Sequence, residues 1–287
     1  MTARGEETNL AGAGWRGSIP WSTILLWLTA LLVAFPFIWM LRSAFMPTKF
    51  IMRFPPIWIP PELTLENFTR LLTRQPFARY IANSLLVAGI VTVGQVTISS
   101  LSAYAFARLR FPGRDRLFLL YLATTIIPSQ VTLIPQYVLI SKLGWVDTYA
   151  ALTVPFLASA FLTFLLRQFF LSIPPELEDA AKIDGAGYFR TFATIILPLS
   201  APALATSALL AFIGTWTNYL WPLIVIRSRE MRTIPVGLAG FQEETAGRTD
   251  FGQVMAGSAL SILPMFILFL LLQRYVVQSL ATTGLKG

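Results

Sequence analysis

Six runs of mostly apolar residues, at roughly 21–41, 80–107, 117–141, 149–172, 200–226 and 254–276, take up about half of the chain. Each reaches the ~20 residues that a helix needs to cross the hydrocarbon core of a bilayer. A chain of 287 residues with 55% hydrophobic and 13% charged residues, and a mean hydropathy of +0.65, cannot enclose that much apolar surface in one soluble core. The runs therefore predict an all-α polytopic membrane protein with six transmembrane helices. The first run follows a polar segment, residues 1–20, in which Arg4 and Arg16 offset Glu6 and Glu7, and which reads as a short disordered tail. It is too long for the apolar region of a signal peptide and has no small-residue cleavage site after it, so it reads as an uncleaved span. Residues 21–287 then form a single transmembrane domain with its core at 79–276.

Every run but the second contains proline (Pro36, Pro128 and Pro135, Pro155, Pro202 and Pro222, Pro264), and the second holds Gly89 and Gly94. Kinked helices that pack through small residues are expected. Between the first two runs, Pro47–Arg79 is rich in proline and carries Trp58, which predicts an ordered interfacial loop.

Absent residue types narrow the chemistry. With no cysteine and no histidine, thiolate metal sites, disulfides and the commonest general base are excluded. No G-x-x-x-x-G-K-[ST] stretch is present to cradle phosphates, so the chain cannot hydrolyse ATP by itself. No run has an acidic residue in its middle, where an ion-coupled carrier or channel would place a relay or ligand. The formal charge of +8 comes from loop residues rather than one basic face, which argues against nucleic acid as a partner.

One long polar interruption breaks the second half of the chain, residues 173–202. Pro175 suits the start of a helix, Glu176, Glu178 and Asp179 suit its first turns, and Lys182 stands four residues after Glu178 in the favourable order for an ion pair. Gly185 to Gly187 should stop that helix, with Leu177, Ala180 and Ala181 as a narrow apolar stripe on it. A second helical run, Tyr188–Leu197, leads back to the membrane. On residue chemistry alone the segment is either an ordinary inter-span loop or a docking arm for an energy-supplying partner.

The spacing Asp179-Ala180-Ala181, three residues, Gly185, nine residues, Ile195-x-Leu197-Pro198 resembles the EAA loop of ABC importer permeases. The likeness extends over most of the chain: NSLLVAG from Asn83, SAYAFARLRFPGR from Ser102, IPSQVTLIPQYVLISKLGWVDTY from Ile127, WTNYLWPLIVI from Trp216 and LQRYVVQSLATTGLKG from Leu272 are similar to the carbohydrate-uptake branch, in particular to its second permease subunit. Asp179 in place of Glu, Thr217 between Trp216 and Asn218, and Ser279 in place of Gly are departures from it. The resemblance implies a type I importer fold and half of a translocation pore, completed by a homologous second permease. It further implies two ATPase subunits that bind ATP and Mg, an extracytoplasmic solute-binding protein, and no cofactor in this chain. Glu178, Asp179, Ala180, Ala181, Asp184 and Gly185 would then couple to the ATPase. A bacterial or archaeal plasma membrane with both termini cytoplasmic follows. The 22 Lys and Arg divide evenly between the two sides in that orientation, but Arg108, Arg110, Arg114 and Arg116 crowd one short loop on the inner side.

For a solute, the fifth run offers Trp216, Asn218, Tyr219 and Trp221, expected within one helical turn, and the third offers Gln136. Flat apolar faces beside hydrogen-bonding groups suit a sugar. The same residues also suit an aromatic belt at the outer interface, and isolated polar groups in spans also serve as interhelical glue.

Overall fold

The structure is a computed structural model that describes residues 21–241 and 250–284, with side chains described as far as Tyr275. The tail read at 1–20 and the terminal residues 285–287, Lys286 among them, lie outside the described residues. Helices, joined by turns, make up the described chain, and no strand occurs among the described residues.

α1 (Trp21–Ala44) leads through α2 (Thr48–Ile51) and α3 (Glu66–Arg74) to α4 (Phe77–Arg108). At 1.5 Å per residue, α4 is about 48 Å long, more than a bilayer core requires. There follow α5 (Arg114–Ala123), α6 (Ser129–Lys142), α7 (Tyr149–Thr153) and α8 (Ala160–Ser172). The polar segment holds α9 (Glu176–Ile183), α10 (Tyr188–Thr191) and α11 (Leu197–Leu199). The chain then runs through α12 (Ala201–Trp216), α13 (Leu220–Val225) and α14 (Ile234–Gly240) to α15 (Phe251–Gly284).

Three helices, α1, α4 and the Phe251–Tyr275 part of α15, are long and apolar enough to cross a membrane unbroken, and three bent pairs bring the number of spans to six. The kink expected at the prolines of 117–141 is a full corner: Arg114–Ile126 and Ser129–Lys142 meet at 97°. Ile127 is extended there (ψ 116°), as a residue before proline prefers, and Pro128 opens the next helix. The 149–172 span bends by 40° before Ser159, whose hydroxyl accepts from the Leu162 N–H and caps α8. The polar segment re-enters the apolar zone through a π-helical stretch, Phe192–Ile196, and an 81° bend ahead of Pro202. Pro36 and Pro264, by contrast, sit inside continuous helices.

α4 is the mast of the bundle, because all three buried clusters draw on it. Phe77, Tyr80 and Ala88 pack with residues of α1, α3, α12, α14 and α15, including Leu71, Trp216, Ile234 and Ala256. Val87 and Val91 pack against Ile140, Leu152, Trp221 and Val225. Ala103, Tyr104 and Ala107 close on Leu166, Phe170, Phe192 and Ile196. Buried asparagines tie the connections to this frame. The Asn67 amide donates to the Ala44 and Met46 carbonyls at 2.9 and 2.8 Å, so the long segment after α1 is fixed by α3. The Asn83 amide donates to the carbonyls of Glu230 and Arg232, and its oxygen accepts from the Tyr149 hydroxyl at 2.7 Å. Asp147, in the left-handed region at φ 63°, receives the Arg227 and Ser228 N–H groups and the Ser228 hydroxyl. Burial pushes its carboxyl up, but these bonds and the Arg227 charge together hold it below the usual carboxylate range.

Candidate functional site

The polar segment folds as its residues dictate. α9 begins after Pro175 and ends in a Schellman motif: Gly185, at φ +77°, sends its N–H to Lys182 O, and the Ala186 N–H reaches Ala181 O at 2.8 Å. The Schellman turn fixes where this short helix stops and how the chain leaves it. Its inward side is not the one expected. Glu178 is 6% exposed and forms an ion pair with Arg108 at the end of α4 (Nε–Oε1 2.7 Å), while Lys182 pairs with Asp179 at 2.9 Å. The hydrogen bond from Lys182 to Asp179 raises the ammonium above its ordinary range. The expected Glu178–Lys182 pair is therefore corrected, because a buried carboxylate takes the partner buried with it. Ala181 is also buried, so the apolar stripe does not face outward as a whole.

What faces outward is larger and more apolar. Leu177 (42% exposed), Ile183 (87%), Tyr188 (64%) and Phe189 (75%) stand beside the exposed Asp179, Ala180, Asp184 and Gly185. Sequence reasoning passed over Ile183, Tyr188 and Phe189. Their signal was available, since large apolar side chains around a Gly-Ala-Gly turn in an otherwise polar segment have no local burial to explain them. Next to α9 lies a groove of about 620 Å³ lined by Arg108, Arg110, Arg114, Asp179, Lys182 and Tyr188 among others. Arg167 on α8 ties that helix to α4 and α5, donating to the Phe106 carbonyl and lying 4.2 Å over the Phe118 ring. Across the loop, a hydrogen bond from Arg114 holds the Asp115 carboxyl below its ordinary range.

The second candidate region is less uniform than one helical turn. α12 ends at Trp216, and α13 starts at Leu220. Pro222 explains the break, because its ring would meet the carbonyl of Asn218 in a continuous helix. Trp216 and Trp221 turn into the core: one indole N–H donates to Ser261 O (3.1 Å), the other to Ala151 O (2.9 Å). Both act as glue between helices within this chain. Asn218, with Thr215, Gln95, Ser84 and Thr233, lines a partly open cavity of about 160 Å³ walled by Trp221 and Phe156. Tyr219 is exposed, and Gln136 is half-buried on α6; neither lines that cavity. The structure thus brings Asn218 together with Gln95 and separates it from Trp216, Tyr219 and Gln136.

Residues 11–282 match the family described as binding-protein-dependent transport system inner membrane component. The chain belongs to this family. Among curated inner membrane components, a trehalose/maltose transport system permease protein from Thermococcus litoralis is 40% identical over 91% of this chain and 94% of its own length. An sn-glycerol-3-phosphate transport system permease protein from Brucella abortus is 38% identical over 91% and 95%. An arabinooligosaccharides transport system permease protein from Halalkalibacterium halodurans is 36% identical over 93% and 98%. Among solved structures, a chain of a bacterial ABC transporter involved in the import of alginate superposes with a TM-score of 0.80 at 24% identity, covering 89% of this chain and 95% of the other. That likeness establishes the fold. As a member of the family, the chain is a non-catalytic, multi-pass permease subunit of a binding-protein-dependent ABC importer.

Proposed function

We propose that this permease subunit forms half of a pore for a sugar or sugar-like solute, and that α9 is the arm through which a separate ATPase drives it. One observation carries the reading: α9 and the turn after it present Leu177, Ile183, Tyr188 and Phe189 to the outside at the end of the bundle where α4 and α8 terminate. Exposed apolar side chains around a capped helix, rimmed by Asp179 and Asp184, form the knob of a helix-in-groove contact. With no phosphate-cradling loop in the chain, an ATPase partner is the occupant that supplies energy. That end is then cytoplasmic, as are both termini. A homologous second permease completes the pore, and a solute-binding protein delivers cargo at the opposite end. The polyhydroxylated solutes in the names of three relatives support the solute class.

Because the chain has no cysteine, Ile183→Cys gives this subunit a single thiol, to be compared with the unmodified complex. In the assembled complex it should cross-link to the ATPase subunit and resist a maleimide added to inside-out vesicles until the ATPase is stripped off. Equal labelling before and after stripping would remove α9 from the docking surface.

Asn218 is the residue of this chain we assign to the solute path, through the cavity it shares with Gln95 and Thr215. Asn218→Ala should lower uptake and solute-stimulated ATPase activity by roughly fivefold, the worth of one hydrogen bond of ~1 kcal/mol, while basal ATPase activity holds. Unchanged kinetics would leave Asn218 as interhelical glue.

A further inference from the structure

The way α9 is fastened to the bundle carries an inference that rests on the coupling reading above. α9 is only eight residues long and is joined to α8 by three residues, so whatever moves it must act through side-chain contacts as well as the chain. Its one charged contact with the membrane domain is the pair from Glu178 to Arg108 among the described residues. Arg108 is the last residue of α4, and its guanidinium reaches three elements at once. Nε lies 2.7 Å from Glu178 Oε1 as an ion pair without hydrogen-bond alignment, and Nη2 donates to the Phe170 carbonyl at 2.7 Å and to the Ile173 carbonyl at 2.6 Å. Those carbonyls belong to the end of α8 and to the linker that enters α9. Three elements therefore converge on one planar, five-donor group, which a lysine's single ammonium cannot reproduce.

We propose that Arg108 and Glu178 form a strut: a positioning pair that makes α9, the end of α8 and the end of α4 move as one body. Side-chain exposures of 12% and 8% leave the pair only the edge of the groove beside α9 to meet water, so it is screened less and held more firmly than an exposed ion pair would be. The far consequence follows from α4. It runs from this strut past Gln95 and Val87, which line the cavity at Asn218, to Tyr80 at the other end of the bundle. A push on α9 is thus delivered to the wall of that cavity through an unbroken helix, whereas α12, bent by 81° at its start and interrupted after Trp216, is poorly built to carry it.

The test uses the assembled complex in proteoliposomes and needs no knowledge of the solute. Gly214→Cys, on the exposed lining of the cavity at Asn218, reports that end through its rate of reaction with an impermeant maleimide, with and without MgATP and vanadate; Ile183→Cys cross-linking reports docking. With Glu178→Gln, we expect cross-linking to persist and the nucleotide-dependent change in the Gly214→Cys rate to shrink at least tenfold. A response of wild-type size with docking intact overturns the strut; loss of cross-linking in the unmodified Glu178 background overturns the docking reading instead. Glu178→Gln leaves Arg108 buried without its charge partner and can fail to assemble. The double variant Arg108→Met/Glu178→Leu removes both charges, so neither is stranded. The same loss of response is expected from it, and a retained response in that variant overturns the proposal equally.

Discussion

Replacing Gly185 by valine or proline is expected to abolish uptake while the subunit still inserts and accumulates. The space around Gly185 is open, with no atom within 4 Å of where a Cβ would stand, so crowding is not the obstacle. Conformation is. At φ +77° an L-residue loses about 1–2 kcal/mol, more if β-branched, and proline is confined near φ −65° and has no N–H to give Lys182 O. Either residue opens the Schellman turn, and Ile183 on one side of it no longer keeps its place beside Tyr188 and Phe189 on the other. Because the turn lies outside the bundle, protein level should change little. Asn, which visits the left-handed region more readily than other side chains, should retain a measurable fraction of activity. The ordering Gly, Asn, Ala, Val, Pro in uptake at equal protein level is the expected result. Full uptake by Gly185→Val would show that this turn has no part in coupling.

Asn83→Leu should have the largest effect on assembly. The substitution is close to isosteric, so packing is little changed, but it removes three hydrogen bonds that the buried Asn83 makes with the Glu230 and Arg232 carbonyls and the Tyr149 hydroxyl. Each such bond is worth about 1 kcal/mol net, so roughly 3 kcal/mol should go from a membrane domain whose whole margin is of order 5–15 kcal/mol. The neighbouring Ser84 hydroxyl, which accepts from the Ile234 N–H at 2.8 Å, fixes the same loop and does not replace the lost bonds. Thermal unfolding of the purified complex in detergent should shift clearly downward, whereas Asn83→Asp, which keeps an acceptor for Tyr149 but no donors, should fall between. A wild-type unfolding curve for Asn83→Leu would mean that solvent or a partner satisfies those carbonyls.

Much of the architecture was legible because it depends on local rules. An apolar run of bilayer length can do little other than span, and Pro175 and Gly185 mark the ends of α9 by backbone chemistry alone. The misreadings fall where a distant group outweighed a near one. Lys182 is well spaced for Glu178 on the helix, yet Arg108 takes it, since burial favours the partner that is itself desolvated. Trp216 to Trp221 looked like one turn of helix bearing a sugar platform. Pro222 breaks the backbone there, and the carbonyls of Ser261 and Ala151 claim both indoles. The 97° corner at Ile127–Pro128 was announced by a proline, but Pro36 and Pro264 announce corners that do not occur. Which proline bends a helix depends on what the neighbours will pack against, and that information is not local.

α1 lies along α15, the last long helix, and none of its apolar stretch is buried within the chain. In a nascent chain this has a cost in time. At about 5–20 residues per second, the roughly 200 residues between the two helices keep α1 waiting for some 10–40 s without its intramolecular neighbour. Over that interval lipid is its solvent, and other apolar helices in the same membrane compete for its surface. The domain is thus closed from its two ends, and chains truncated before Phe251 will leave the ribosome with α1 unmated, a ready substrate for membrane quality control.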